Sequence, residues 1–518
     1  MNQFHSTVSR RDFMKGLGLG AAGIGAASAT APVFHDLDEA ASSTKAVLKR
    51  GWYVKERDYG DYGIEIDWNI MKRRDQRGFP NWNFGVTMNA YPEGPQAFAA
   101  LKHAGEEATA EKAKEFWPDY KGPTTRDEAL GSAFEAMSYG NSGYCGNLVQ
   151  GGTSTNLPAH RPEEIGMPKW QGTPEENLLM LRAVFSLVGL GPMVGVAELN
   201  EQTKKFVWDY MPFQTSARAS TGPNLLPAIP ATDGQRRIIF DDNATESYLT
   251  EDPPAFHLPS AQRYVIATHN LSCDEIARRG LGAALGGCTE NMSYARVAYA
   301  KNIVEQFIRG LGYNVSYGHD MQPALAWDIA SGVGEHARLG QTIGSPEYGG
   351  LMRTHAIFYT DLPLALTKPV DAGFTKFCET CGICAETCPV GAIPERGINR
   401  SWDNNCGQSW SDDKMEGGTK VMFNMPGYKG WRCNLFKCAY TPCGGACKGN
   451  CPFNTIADGS FVHSIVKSTV ATTPLFNSFF TSMEGILHYG KQDKDPESWW
   501  NSPDEWHIYG THPNSLRQ

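Results

Sequence analysis

Positive charge is what this chain has least to spare. Its 518 residues carry 47 Lys and Arg against 56 Asp and Glu, a formal net charge of −9. That balance argues against a nucleic-acid binder, which would display a basic face. Long hydrophobic runs are also wanting. Beyond residue 33 the best candidate, Ala183 to Ala197, is short, is broken by Gly189, Gly191 and Pro192, and has Arg182 at its start; no membrane span is expected there. There is no internal repeat and no low-complexity tract after the first residues, which excludes solenoids and propeller arrays. Cysteine is scarce for most of the length: three of the thirteen precede residue 377. An odd count placed so unevenly is not a disulfide framework.

What is present begins with a globular composition. The chain is 41% hydrophobic and 20% charged, so gross disorder is excluded and there is room for two to four domains. Aromatic residues suit a rigid core or an aromatic-lined pocket for an apolar ligand. Ser9-Arg10-Arg11-Asp12-Phe13-Met14-Lys15 is a twin-arginine export pattern, followed by small, weakly apolar residues from Gly16 to Val33. Cleavage is expected at Ala27-Ser28-Ala29 or at Ala40-Ala41. The export route carries folded, cofactor-loaded proteins, and places this chain outside the cytoplasm, peripheral on the outer face of the cytoplasmic membrane.

Residues 42–125 read as a wrapping extension with short helices. In "GTPEENLLMLRAVFSLVGLGPMVGVAEL" (172–199), Thr173 is an N-cap, Pro174 occupies the first helical position and Glu176 completes a capping box. Leu178, Leu181, Phe185 and Val188 then repeat at helical spacing, and "MVGVAEL" follows as a buried strand. Residues 212–260 read as loop and "QRYVIATHNL" (262–271) as another strand. The strongest helix is predicted over 291–315, with an apolar stripe of Val297, Ala300, Val304, Phe307 and Leu311 and with Tyr294 in its first turn, off that stripe. Helix followed by strand indicates an α/β (α+β) core.

Ten cysteines fall between residues 378 and 451. Cys378, Cys381, Cys384 and Cys388 are spaced C-x2-C-x2-C-x3-C and followed by Pro389, the run in which three thiolates hold one [4Fe-4S] cluster and the fourth ligates another. A structural zinc site would show paired C-x2-C units instead. The second run, Cys433, Cys438, Cys443, Cys447 and Cys451-Pro452, is less regular. A crosswise assignment places Cys378, Cys381, Cys384 and Cys451 on one cluster and Cys388, Cys433, Cys443 and Cys447 on the other, with Cys438 the alternative to Cys433 or Cys443. That leaves Cys145, Cys273, Cys288, Cys406 and Cys438, which read as buried thiols with no role. The tail is thus an electron wire, and its terminus must lie in the residues before it.

With the twin-arginine start, the segments "GTPEENLLMLRA", "FIRGLGYN", "SGVGEHARLG", "PEYGGLMRT", "TDLPLALTKPVDAGFTKFCETCGICAETCP" and "VHSIVKSTVATTPLFNSFF", in this order, resemble the corrinoid-dependent reductive dehalogenases of organohalide-respiring bacteria, above all those acting on chlorinated ethenes. The resemblance covers nearly the whole chain and is weakest over 34–120. It implies a nitroreductase-like cobalamin-binding core (126–368), a ferredoxin-like module with two [4Fe-4S] clusters (369–460) and a C-terminal segment packing on the core (461–518), after a signal peptide (1–41). It implies base-off cobalamin, reduced to cob(I), that removes halide from a small organohalide. By motif, Tyr294 is the proton donor, Arg353 its basic partner, and His319 or Asp320 a polar third member; the loop with Gly332, Gly334, Glu335 and Arg338 is the cofactor contact. A phenol is protonated at neutral pH and can donate, and a guanidinium stabilises the phenolate left behind. His507, in "DEWHIYG", is a decoy for a cobalt ligand. A small integral-membrane anchor protein, an upstream respiratory electron donor and a homodimer are the implied partners. Two other readings compete: an epoxyqueuosine-reductase-like enzyme, opposed by the export signal and the negative charge, and a plain electron-transfer subunit, which would leave the long α/β region without a task.

Overall fold

The computed structural model describes residues 50–73, 91, 93–122, 124–127, 130, 159–191, 193–210, 237–281, 284–318, 324–402, 425, 427–439, 441–454, 460–487 and 495–503. The export signal, His319, Asp320, Cys145, Cys406 and His507 lie outside them. In chain order the principal elements are helices α1 (Pro95–Phe116) and α2 (Pro174–Leu187), strands β1 (Val194–Glu198) and β2 (Tyr264–Leu271), helix α3 (Ala284–Gly310), strand β3 (Val315–Tyr317), helix α4 (Ala324–Ala330), strand β4 (Met352–Thr360), and helices α5 (Phe374–Thr380), α6 (Ile383–Thr387), α7 (Ser460–Thr472) and α8 (Asn477–Leu487). Among the described residues, no helix is long and apolar enough to cross a membrane.

The centre is an antiparallel sheet in the order β1-β2-β4-β3. Successive side chains on a strand point to opposite faces. Val265 and Ala267 of β2 and Ile357 and Tyr359 of β4 therefore pack with Phe206 and Trp327 on one side. Ile266 of β2 and Ala356 and Phe358 of β4 pack on the other side, with Leu178, Leu181 and Phe185 of α2 and Val297, Ala300, Val304 and Ile308 of α3. Because both faces are covered, the middle of each strand is an apolar run, 265–267 in β2 and 356–359 in β4, rather than a polar alternation. The Thr173 cap is in place: its hydroxyl accepts from the Glu176 N–H at 3.2 Å, and the Glu176 carboxylate accepts from the Thr173 N–H at 2.9 Å.

Three expectations change. The segment read as loop over 212–260 contains a three-stranded ribbon of Arg237–Asp241, Tyr248–Glu251 and Pro254–Pro259. The extension, expected to hold short helices, contains a helix of 22 residues, α1. Helix α3 starts at Ala284, so Tyr294 lies well inside it rather than in its first turn. Gly286 and Gly287 hid that start, since glycine is a poor helix former. A Cβ at Gly286 would lie 2.4 Å from Gly280 O and 2.7 Å from Gly444 Cα; close backbone approach, not propensity, decides this turn. The C-terminal helices pack on the cysteine-bearing segment: Val466, Val470 and Phe480 join Phe374, Phe377 and Phe453 around Cys378 and Cys381. Farther on, Trp499 and Trp500 reach the main core beside Ile276 and Leu285.

Between the sheet and the cysteines sits His336, stacked on Trp431 with its Nε2 accepting the Trp431 N–H at 2.9 Å. Accepting that bond requires a neutral ring. Burial, reinforced by Arg400 and Arg432, pushes its pKa down to about 3. An unfolded histidine titrates near 6.5, so below that pH the unfolded chain binds a proton the native chain refuses, and stability falls with pH through this window. His336→Gln removes the contribution. The gap in melting temperature between native protein and variant should narrow from pH 7.5 to pH 4.5; a constant gap would show that the ring takes up its proton at the same pH in the fold as in the unfolded chain.

Candidate functional site

Two sites emerge, a polar corner of the sheet and a pair of thiol groups. The corner lies where β2 ends and β4 begins. Arg353 of β4 pairs with Asn270 of β2, and the register shifts between Arg353 and His355, an irregularity of the bulge kind that interrupts the regular ladder. Asn270 Nδ2 donates to Ser293 O of α3 at 3.1 Å. Ser293 is fully buried and its neighbour Tyr294 half-buried. The Cys273 N–H donates to Thr289 Oγ1 at 2.7 Å, and the Ser272 N–H to Leu351 O at 2.8 Å. The fold thus brings Tyr294 and the backbone of Arg353 to one corner through Asn270. His319 and Asp320 follow β3, the neighbour of β4, and lie outside the described residues. Asn270 Oδ1 and Ser272 Oγ are buried at this corner without a hydrogen-bond partner. Buried polar atoms are rarely left so, and this pair fits a polar-edged ligand such as a corrinoid.

No disulfide joins any two of the eleven described cysteines. Cys378, Cys381, Cys384 and Cys451 line one small cavity, walled by Phe374, Phe377 and Phe453. Burial raises all four thiols, Cys451 to about 12. The second group gathers Cys388, Cys433, Cys438, Cys443 and Cys447. Burial also raises Cys388, Cys433, Cys443 and Cys447, Cys443 to about 12, and Cys438 acts on each of these four. Gln341 Nε2 donates to Cys433 Sγ at 2.9 Å and to Cys438 Sγ at 2.7 Å. The last cysteine of each run therefore sits with the opposite run. Among the described residues no three His, Cys, Asp or Glu side chains converge on one metal-ion position. Thiols ringing a cavity fit a polynuclear group rather than a single ion, whose sulfur ligands would crowd within about 4 Å of each other.

The glycine loop packs closely against other backbone. A Cβ at Gly340 would lie 2.7 Å from Cys433 N, one at Gly349 2.4 Å from Phe453 C, and one at Gly350 2.9 Å from Cys451 Cβ. Gly340 and Gly349 also have φ of 65° and 71°, where side chains are strained. At Gly332 the close neighbour is Lys368 O, and at Gly334 it is Ile343 and Gly344 O. The backbone does approach something closely, but it is the cysteine-bearing chain and its own hairpin. Glu335 accepts from the N–H groups of Ala372 at 2.8 Å and Phe374 at 3.2 Å, at the start of α5. Arg338, fully buried, donates to the carbonyls of Cys378 at 2.9 Å and Glu395 at 2.7 Å and packs on Trp431. These residues hold the thiols in place. An Arg and a Glu inside a glycine loop, just upstream of a cysteine run, were the available signal for this role.

A helix-covered antiparallel sheet joined to two buried thiol groups defines a redox protein class. Residues 49–364 match the family profile described as reductive dehalogenase subunit, and the chain belongs to the reductive dehalogenase family. It is 32% identical to the chloroethene reductive dehalogenase of Dehalococcoides mccartyi strain VS, over 99% of this chain and 100% of that one. It is 30% identical to the trichloroethene reductive dehalogenase of Dehalococcoides mccartyi strain 195, over 96% and 97% of the two chains. Among solved structures, a reductive dehalogenase whose title concerns B12-dependent dehalogenation superposes with a TM-score of 0.51 at 16% identity, over 88% of this chain and 51% of that chain. This chain therefore spans about half the length of that structural relative, and the likeness is one of fold.

Proposed function

We propose that this chain is a respiratory reductive dehalogenase that binds base-off cobalamin and two [4Fe-4S] clusters and removes halide from a chlorinated ethene. One observation carries the reading: a single helix, α3, joins the proton donor to the wire. Tyr294 lies one turn beyond Glu290, and Glu290 pairs with Lys448, the neighbour of Cys447. The core is then nitroreductase-like and residues 369–460 form a ferredoxin-like module, with Cys378, Cys381, Cys384 and Cys451 on one cluster and Cys388, Cys443 and Cys447 on the other. The fourth ligand there is Cys433 or Cys438, and the position of Cys438 among all the others favours it.

The net change is R–X plus two electrons and one proton giving R–H and X⁻. When bound, the corrinoid supplies a cobalt reduced far enough to break a carbon–halogen bond. Tyr294 supplies the proton from its phenol oxygen. Arg353, held at the corner by the β2–β4 pairing, offsets the charge left on that oxygen and attracts the departing halide. Asn270 and Ser272 present buried polar atoms to the ligand edge. The export signal, the outer-face location, the small membrane anchor protein, the upstream donor and the homodimer belong to the same reading. Anaerobic purification with metal analysis tests it: about eight irons and one cobalt per chain are expected, with chloride released from chlorinated ethenes under a low-potential reductant. Iron without cobalt would leave only an electron-transfer protein.

A further inference from the structure

Helix α1 buries Phe98, Lys102, Gly105, Thr109 and Ala113 along one face. A lysine in such a stripe takes the place of an apolar residue and is costly to bury. Lys102 is 6% exposed. Its Nζ donates to Lys437 O at 3.1 Å and to Ala439 O, the carbonyls on either side of Cys438. The helix is pressed hard against this segment: a Cβ at Gly105 would lie 3.2 Å from Val390 Cγ1 and 3.3 Å from Thr441 Oγ1, two residues beyond Cys388 and two before Cys443. Burial lowers the pKa of Lys102 to about 8, and the ionisable groups that oppose this are Cys438 and Cys443, followed by Glu106. Glu106 is exposed, and among the described residues no carboxylate forms an ion pair with Lys102. Lys448, beside Cys447, is by contrast neutralised by Glu290.

We infer that Lys102 is the counter-charge that raises the reduction potential of the cluster held by Cys388, Cys443 and Cys447. The inference rests on the reading of these thiols as cluster ligands. Reduction adds one negative charge to the cluster, and a fixed positive charge in a low-dielectric wall stabilises the reduced form. The N-terminal extension thereby sets the driving force along the wire rather than only wrapping the core.

The test is a potentiometric titration of the full-length, cluster-loaded protein followed by electron paramagnetic resonance, with iron counted in every sample. Lys102→Gln keeps N–H donors for the two carbonyls and removes the charge. One of the two midpoint potentials should fall, so that at fixed potential the reduced-to-oxidised ratio of that cluster drops about tenfold, which is about 59 mV for a one-electron couple. The other potential stays in place, and Lys102→Arg restores the first. Unmoved potentials at full iron content overturn the inference and leave the clusters standing. Loss of about half the iron in Lys102→Gln also overturns it, because the lysine is then a latch for the cysteine loop. Native protein that binds no iron would instead defeat the cluster reading itself.

Discussion

Replacing Tyr294 by Phe leaves cobalt and iron contents unchanged and slows halide release by about a hundredfold or more, within the range that a positioned proton donor contributes. The change deletes one oxygen and keeps the ring. Helix α3 is held here by Ser293, which is fully buried and accepts a bond from Asn270, and by Val297 one turn on, which is buried in the core; the substitution should therefore leave the backbone in place. A half-buried packing tyrosine would predict the opposite: little change in rate and at most a small loss of stability. The split between kcat and KM separates the two. A lost proton donor lowers kcat with KM nearly constant, because the phenol acts in the transition state more than in substrate binding. Unchanged turnover would move the proton source elsewhere, and the segment after β3 that carries His319 and Asp320 would be the next place to look.

The sequence made some of this legible because certain constraints act locally. Cluster geometry imposes the C-x2-C-x2-C-x3-C spacing, and a capping box is written in four residues, so the first cysteine run and the start of α2 could be read directly. Tyr294 and Arg353 could not. They are 59 positions apart in sequence, and only the fold brings their backbones to one corner, through Asn270, which bonds Ser293 and pairs with Arg353, so only the resemblance picked them out. The glycine loop was legible only in part. Its residues permit close backbone approach, as their chemistry requires, but chemistry alone does not name the partner; the structure shows cysteine-bearing backbone beside Gly340 and Gly349. Helix α3 was cut short for the same reason, since Gly286 answers to Gly444, a residue far along the chain. Lys102 was invisible because its meaning depends on Cys438, and nothing in "AFAALKHAGEE" suggests a buried ammonium. The second cysteine run was ambiguous because its irregular spacing admits more than one ligand set, and Gln341, bonded to both Cys433 and Cys438, does not separate them.

Pairs of cysteine substitutions decide the wiring, and the expected effects are large. Any single replacement by Ala within a four-thiolate set should cost about four of about eight irons. The informative quantity is the double variant. Two residues serving the same cluster cannot lose it twice, so their effects fail to add, whereas residues on different clusters are additive. Cys451→Ala combined with Cys381→Ala should therefore retain about four irons, since both thiols line the cavity beside Phe377. Cys451→Ala combined with Cys443→Ala should retain almost none. Cys388→Ala reverses the pattern, additive with Cys381→Ala and non-additive with Cys443→Ala, although Cys388 belongs to the first run by sequence. If Cys388 proved non-additive with Cys381 instead, each run would hold its own cluster and the crosswise arrangement would fail. The same arithmetic resolves the fourth ligand of the second set. Of Cys433→Ala and Cys438→Ala, only the ligand's replacement should halve the iron, and the position of Cys438 beside Cys388, Cys433, Cys443 and Cys447 makes it the one expected to do so.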